Sequence, residues 1–173
     1  MELEDNNMPN WCEGYLKIRG KKKDLINFIE NEFVIAKSES VISEIEYIDV
    51  KMEDDGLGEC RFEHESSYLK KLKLKNTRRF FIKSEELSFY YDEEDEDTIC
   101  HITLWIEQAW AIIVQQLLVE HSQKYSLDFN LYASESSMEF EQYLTIIDGR
   151  LVRYEEKKYN DFNFEAINPS LGG

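Results

Sequence analysis

Glycine and proline are scarce in this chain, 7 and 2 among 173 residues. The one glycine pair in a loop, G-L-G at Gly56 to Gly58, is followed by Arg61 where a dinucleotide fingerprint demands a third glycine. No G-x-x-x-x-G-K phosphate loop and no G-x-S-x-G nucleophile turn occurs. The common routes to nucleotide chemistry and to serine hydrolysis are therefore missing. Cysteine is also sparse: Cys12, Cys60 and Cys100 are odd in number and scattered, which fits buried free thiols in a reducing compartment better than a disulfide framework. The longest apolar-rich stretch, Ile99 to Val119, is broken by His101, Glu107, Gln108, Gln115 and Gln116, so no membrane span fits. The first residues, M-E-L-E-D-N-N, lack the basic and apolar regions of a signal peptide, and a cytoplasmic location is expected.

Basic residues are in deficit as well. Lys and Arg number 20 against 36 Asp and Glu, a formal net charge of -16. Duplex DNA carries one negative charge per ~1.7 Å of axis, and it repels such a chain unless the few bases gather on one face. The composition argues against nucleic acid as a ligand and for a partner with a basic surface. What the chain does have is apolar content: 42% hydrophobic and 13% aromatic residues make it globular, not disordered. At this length a single domain over residues 1–173 buries roughly 70% of its unfolded surface.

The sharpest local pattern is P-N-W-C-E-G-Y-L-K-I-R-G, Pro9 to Gly20. Leu16 and Ile18 alternate with Tyr15, Lys17 and Arg19, the period of a half-buried strand, and Trp11 reads as a plug at one end of the core. The run resembles the signature P-N-W-C-x-N-x-L-x-I-x-G of the YubB-like family of phage- and plasmid-encoded proteins, matching at Pro9, Asn10, Trp11, Cys12, Leu16, Ile18 and Gly20. The family Asn falls at Gly14. A weaker echo lies at Tyr132 to Phe140, Y-A-S-E-S-S-M-E-F, with Glu141 where the family has Gly. The resemblance implies a ferredoxin-like fold and a mobile-element origin, and no activity.

Lys22 to Phe33 predicts an amphipathic helix, with Leu25, Ile26, Phe28, Ile29 and Phe33 at helical spacing. Lys21, Lys22 and Lys23 stand at the wrong end of its macrodipole, so a carboxylate beyond Asp24 is expected near them in space. Val41 to Val50 reads as strand or helical turn, Glu53 to Glu59 as a break, Cys60 to His64 as a short strand, and Ser66 to Lys75 as a short basic helix. Arg79 to Lys83 and Glu86 to Tyr91 follow as strands. Ile99 to Ile106 predicts a central strand covered on both faces, and Gln108 to Lys124 the strongest helix, with Trp110, Ile113, Val114, Leu117, Leu118 and His121 on one face. Leu127 to Tyr132 alternates as a strand. Asp148 and Gly149 suit a type I′ turn that sets Ile146 opposite Leu151. Phe162 and Phe164 read as docking the tail, with Gly172 and Gly173 loose. The order predicts an α+β fold, two helices on one face of a mainly antiparallel sheet, with residues of about 34–97 inserted as an acidic and basic elaboration of the ferredoxin-like plan.

The candidate site is the run D-E-E-D-E-D: Asp92, Glu93, Glu94, Asp95, Glu96 and Asp97. It fails as a calcium loop, since Asp97 occupies the position of the turn glycine, and it reads either as a solvated turn or as a partner-facing patch. The basic segment Lys70 to Arg79 either folds against it or meets an anionic partner. Cys60, His64, Cys100 and His101 do not make a zinc set: on a strand the first two lie ~13 Å apart and the last two point to opposite faces. Cys12 reads as packed, Glu135 and Glu139 as turn residues, His121 as a core residue, and no catalytic group, metal or cofactor is expected. The expected function is that of a non-enzymatic mobile-element protein that binds a host or phage protein with a basic surface, its acidity imitating nucleic acid. The alternative is a small-ligand-binding or enzymatic ferredoxin-like domain with its site in the insertion, which a deep pocket lined by Tyr90, Tyr91 and Trp105 would favour; a third reading is a homo-oligomer joined by a sheet edge.

Overall fold

Residues alternating between apolar and polar bury one side of a pleated strand, and this alternation runs through most of the chain. The computed structural model describes residues 10–38, 44–95 and 97–167. Its elements are β1 (Trp11–Lys21), α1 (Lys22–Glu32), β2 (Phe33–Ser38), β3 (Ile45–Asp49), β4 (Glu53–Asp54), β5 (Glu59–Glu63), β6 (Lys70–Leu74), β7 (Phe80–Ile82), β8 (Glu86–Tyr90), β9 (Ile99–Ala109), α2 (Gln115–Tyr125), β10 (Asp128–Glu135), β11 (Phe140–Ile147), β12 (Arg150–Lys158) and α3 (Phe162–Glu165). Nine strands form one sheet in the order β12-β11-β10-β1-β9-β7-β6-β2-β3, and β4-β5-β8 form a second sheet of three. All pairings are antiparallel. Among the described residues no helix is long and apolar enough to cross a membrane.

This corrects the ferredoxin-like α+β expectation. The described residues are mostly sheet, with three short helices. Residues of the expected insertion, 34–97, supply β2, β3, β6 and β7 to the main sheet and the whole of the small one. The Ser66–Lys75 helix does not form. Leu72 and Leu74 alternate with Lys71, Lys73 and Lys75, and the period of two wins: β6 pairs Leu72 with Ile35 and Leu74 with Phe33.

Cys12, Leu16 and Ile18 on β1 and Cys100, Ile102, Leu104 and Ile106 on β9 point to one side, where α1 contributes Leu25, Phe28 and Ile29. α1 packs on β1 and β9, and α2 on β10, β11 and β12. Between the helices Phe28 meets Phe33, Tyr125 and Phe129 edge to face. On the other flank of α1, Glu30 accepts hydrogen bonds from Met52 N at 3.0 Å and Lys51 Nζ at 3.2 Å, joining it to the segment that leads into the small sheet. Cys60, Leu87 and Phe89 of that sheet belong to the same core. Two helices are too narrow to cover nine strands, and the small sheet extends the cover.

Two expectations about strand β9 and helix α2 also change. β9 is central, yet His101, Thr103 and Trp105 are exposed, so only one face is covered. It runs on to Ala109, and α2 starts only at Gln115. Residues 110–113 find partners other than a helical turn: Trp110 N donates to Asn10 O, Ile112 N to Gln142 Oε1 at 2.8 Å and Ile113 N to Gln108 Oε1 at 3.0 Å. Trp110, with φ of 73°, breaks the helical path, and it and Ile113 are exposed. The hairpin at Asp148 and Gly149 forms with both φ angles positive and Ile146 opposite Leu151. Phe162 is buried; Phe164 is exposed. Pro9, the start of the Val41–Val50 segment, Gly172 and Gly173 lie outside the described residues.

Candidate functional site

The acidic run lies in the turn between β8 and β9. Asp92, Glu93, Glu94, Asp95 and Asp97 are exposed there, and Glu96 lies outside the described residues. Several of these carboxylates serve the turn itself. Asp92 Oδ1 accepts from Glu94 N at 2.9 Å, Asp95 Oδ1 from Asp97 N at 2.9 Å and Asp95 Oδ2 from Thr98 Oγ1 at 3.0 Å. Asp97 pairs with Lys21. Lys22 pairs with Asp54 Oδ2 at 2.5 Å, its ammonium 3.5 Å from the centre of the Tyr91 ring, and Tyr91 Oη donates to Asp54 Oδ1 at 2.6 Å. These are the carboxylates expected near the three lysines. The hydrogen bond from Lys22, with that from Tyr91, holds the Asp54 carboxyl down at about 2. Between the start of α1 and this turn is a cleft of about 530 Å³. Of Tyr90, Tyr91 and Trp105, only Tyr91 lines it, and Trp105 lies on the opposite side of the main sheet, so these three do not share a pocket among the described residues.

That opposite side is the larger feature. Helices α1 and α2 and the small sheet occupy one side of the nine strands. On the other, register places side chains in rows. Tyr143 of β11 stands opposite Tyr132 of β10, Tyr132 opposite Tyr15 of β1, and Tyr15 opposite Trp105 of β9. Four aromatic residues thus cross four adjacent strands in a line, the geometry in which cross-strand pairs interact most strongly. The tyrosine pair at the β10/β11 end has ring centroids 5.0 Å apart.

The next row holds carboxylates: Glu141 of β11, then Ser134, Glu13 and Glu107 on β10, β1 and β9. Glu141 is buried and accepts from three phenols, Tyr132 Oη at 2.7 Å, Tyr143 Oη at 3.1 Å and Tyr159 Oη at 2.5 Å. Burial pushes its carboxyl up, but these donors outweigh it and the net shift is downward. The same bonds and burial push the Tyr143 phenol up to about 12. Tyr159, edge to face with Phe162, closes this corner of the face. Glu107 is likewise buried, with Lys83 Nζ at 3.0 Å and Lys71 Nζ at 3.6 Å. Glu13, directly opposite Glu107, has its carboxyl raised by burial, against the pull of Lys83 and with the push of Glu107.

Cations already sit over the rings of this face. Lys71 lies 4.6 Å from the Phe81 ring and 5.5 Å from Trp11, Lys83 5.7 Å from Trp105, and Arg153 4.5 Å from Tyr143. Trp11 therefore belongs to the open face, packed against Phe81 at 5.9 Å, and does not plug the core. Sequence reading missed the face because each aromatic was weighed within its own strand. The available signal was that Trp11, Tyr15, Trp105 and Tyr132 all occupy the polar phase of their alternations.

The remaining candidates are structural. Cys12 is buried, its thiol pushed up to about 12 chiefly by burial. Glu135 is buried, not loose in a polar turn, and accepts from Ser137 N at 3.0 Å and from Met138 N. His121 is in the core, its Nε2 3.8 Å from Glu32 Oε2 and without a hydrogen bond. Among the described residues no three His, Cys, Asp or Glu side chains are grouped to hold a metal ion. No protein-family model, no curated protein and no solved structure matches the chain.

Proposed function

We propose that this chain is a non-enzymatic accessory protein of a phage or other mobile element that acts by binding another protein, and that the open sheet face is its contact surface. The observation that carries the reading is the in-register row Tyr143, Tyr132, Tyr15 and Trp105 on the side away from α1 and α2. Tyr and Trp supply large contact area at low entropic cost, and they dominate the centres of protein interfaces. The net charge of -16 selects a partner with a basic surface and steers the encounter. A host defence or nucleic-acid-binding protein fits that description, with the acidic chain occupying its basic channel in place of nucleic acid. The exposed carboxylates at Asp92 to Asp95 contribute to this field from the opposite side of the molecule.

The test is a tagged pull-down from host lysate with wild type, Tyr15→Ala/Trp105→Ala and a variant neutralised at Asp92, Glu93, Glu94 and Asp95. A protein retained by wild type, lost with the aromatic pair and released as salt shortens the Debye length below ~8 Å supports the reading. A partner held equally by all three proteins and indifferent to salt overturns it.

A further inference from the structure

Glu13 lies in the middle of the open face, between Trp11 and Tyr15 on its own strand and diagonal to Trp105 on β9. Its cross-strand neighbours are Ser134 on one side and Glu107 on the other. Like charges directly opposite one another in a sheet repel. Glu107 is compensated by Lys71 and Lys83. Glu13 is half-buried and has no hydrogen bond or ion pair among the described residues. Lys83 attracts it from a distance, but no cation pairs with it directly.

We infer that Glu13, with Trp11, Tyr15 and Trp105 around it, is a receptor for a guanidinium group, supplied as an arginine side chain of the partner protein. The site rests on the protein-binding reading of the open face and names the chemistry that face recognises. A guanidinium brings a planar cation that stacks on rings while its N–H groups pair with a carboxylate, and it sheds water more readily than an ammonium. The rings here already accept cations, since Lys83 lies near Trp105 and Lys71 near Trp11. An incoming guanidinium offsets the repulsion between Glu13 and Glu107 and gives Glu13 the direct partner that Lys71 and Lys83, both bonded to Glu107, do not.

The experiment titrates a hexa-arginine peptide, and separately a hexalysine peptide, into the full chain at ~0.1 M salt, where exposed charges are screened beyond about 10 Å. Binding is read by calorimetry and by the carboxyl carbon resonance of Glu13. Glu13→Gln is compared with Glu85→Gln, which removes the same charge from an exposed position just before β8, outside the acidic run. The expected result is a shift of the Glu13 resonance, at least about tenfold weaker hexa-arginine binding in Glu13→Gln, less than about twofold in Glu85→Gln, and weaker binding of hexalysine. Equal losses in the two variants, or an unmoved Glu13 resonance, overturn the site by showing that net charge alone attracts the peptide. Thermal unfolding of Glu13→Gln at or above the wild-type temperature shows that its fold is intact. A partner protein lost by Tyr15→Ala/Trp105→Ala but kept by Glu13→Gln overturns the guanidinium site and leaves the protein-binding reading standing. Hexa-arginine binding at Glu13 with no protein retained from lysate does the reverse.

Discussion

Tyr15 stands directly opposite Trp105 in the β1/β9 ladder, on the face away from Leu16 and Leu104, and the two residues are 38% and 42% exposed. So much exposure means that neither ring is needed to complete the core, and the pair is free to serve a contact.

Replacing either ring by alanine is therefore expected to cost little stability. A double-mutant cycle on Tyr15→Ala and Trp105→Ala should give a coupling of about 0.5–1 kcal/mol in urea unfolding, the worth of one cross-strand aromatic pair. A coupling of several kcal/mol would mean that the face is part of the folding core and not a surface held ready for a partner.

Gly14 is fixed by close backbone approach. A Cβ added there would lie 1.9 Å from Tyr132 O and 2.5 Å from the Ala133 Cα, both backbone atoms of the neighbouring strand β10. This is the position where the YubB-like signature has Asn, and the asparagine is sterically excluded from this strand pair as it stands. Gly14→Ala and Gly14→Asn are both expected to destabilise by about 1–3 kcal/mol or more, because β1 and β10 must move apart. The midpoint of chemical unfolding, read at unchanged slope, checks this.

The turn at Gly149 depends on its conformation as well as on space. With φ of +70°, its N–H donates to Ser122 Oγ at 2.9 Å and its carbonyl accepts from Gln123 Nε2 at 2.9 Å. A Cβ would also meet Gln123 Cγ at 2.5 Å, so that side chain must change rotamer and release the Gly149 carbonyl. Gly149→Ala should thus cost about 1–2 kcal/mol from the left-handed backbone alone, and Gln123→Ala added to it should not restore that loss.

The interface of α1 and α2 makes stability depend on pH. His121 has its pKa lowered from 6.5, burial being the main cause, with Glu32 opposing it. Unfolding then takes up a proton between the two values, so this contribution is complete above pH 6.5 and declines as pH falls through the folded-state pKa. Burial acts to raise the pKa of Glu32, but hydrogen bonds from Lys124 at 2.8 Å and Tyr125 at 2.5 Å prevail and lower it from 4.5. Its contribution is present above pH 4.5 and is lost below as the carboxylate protonates. His121→Phe is expected to flatten the upper of the two declines and leave the lower one. Urea unfolding measured at half-unit steps of pH separates them.

Period was readable wherever one strand or helix supplied it. Leu16 and Ile18, the hairpin at Asp148, the helix from Lys22 and the strands around Phe81 and Phe89 are all where their spacing places them. The pairing of Lys21 and Lys22 with carboxylates was inferable from the cost of three lysines at a helix start. The errors share one origin. Ser66 to Lys75 and Gln108 to Gln115 have residues acceptable to a helix, and a sheet partner or a buried glutamine decides otherwise. Leu72 pairs across to Ile35, and Gln108 and Gln142 take the amides that a longer α2 would have used.

The sequence by itself determined the apolar phase of strands such as β1 and β10, the excess of acid and the absence of known catalytic motifs, because these are properties of neighbours along the chain. Only the tertiary structure decided that the strands join into one sheet of nine, and that Tyr143, Tyr132, Tyr15 and Trp105 align beside Glu13 and Glu107. The reason is register. A shift of one residue between two strands turns every side chain to the other face, and that choice is made by burial summed over the whole sheet, not within any one segment.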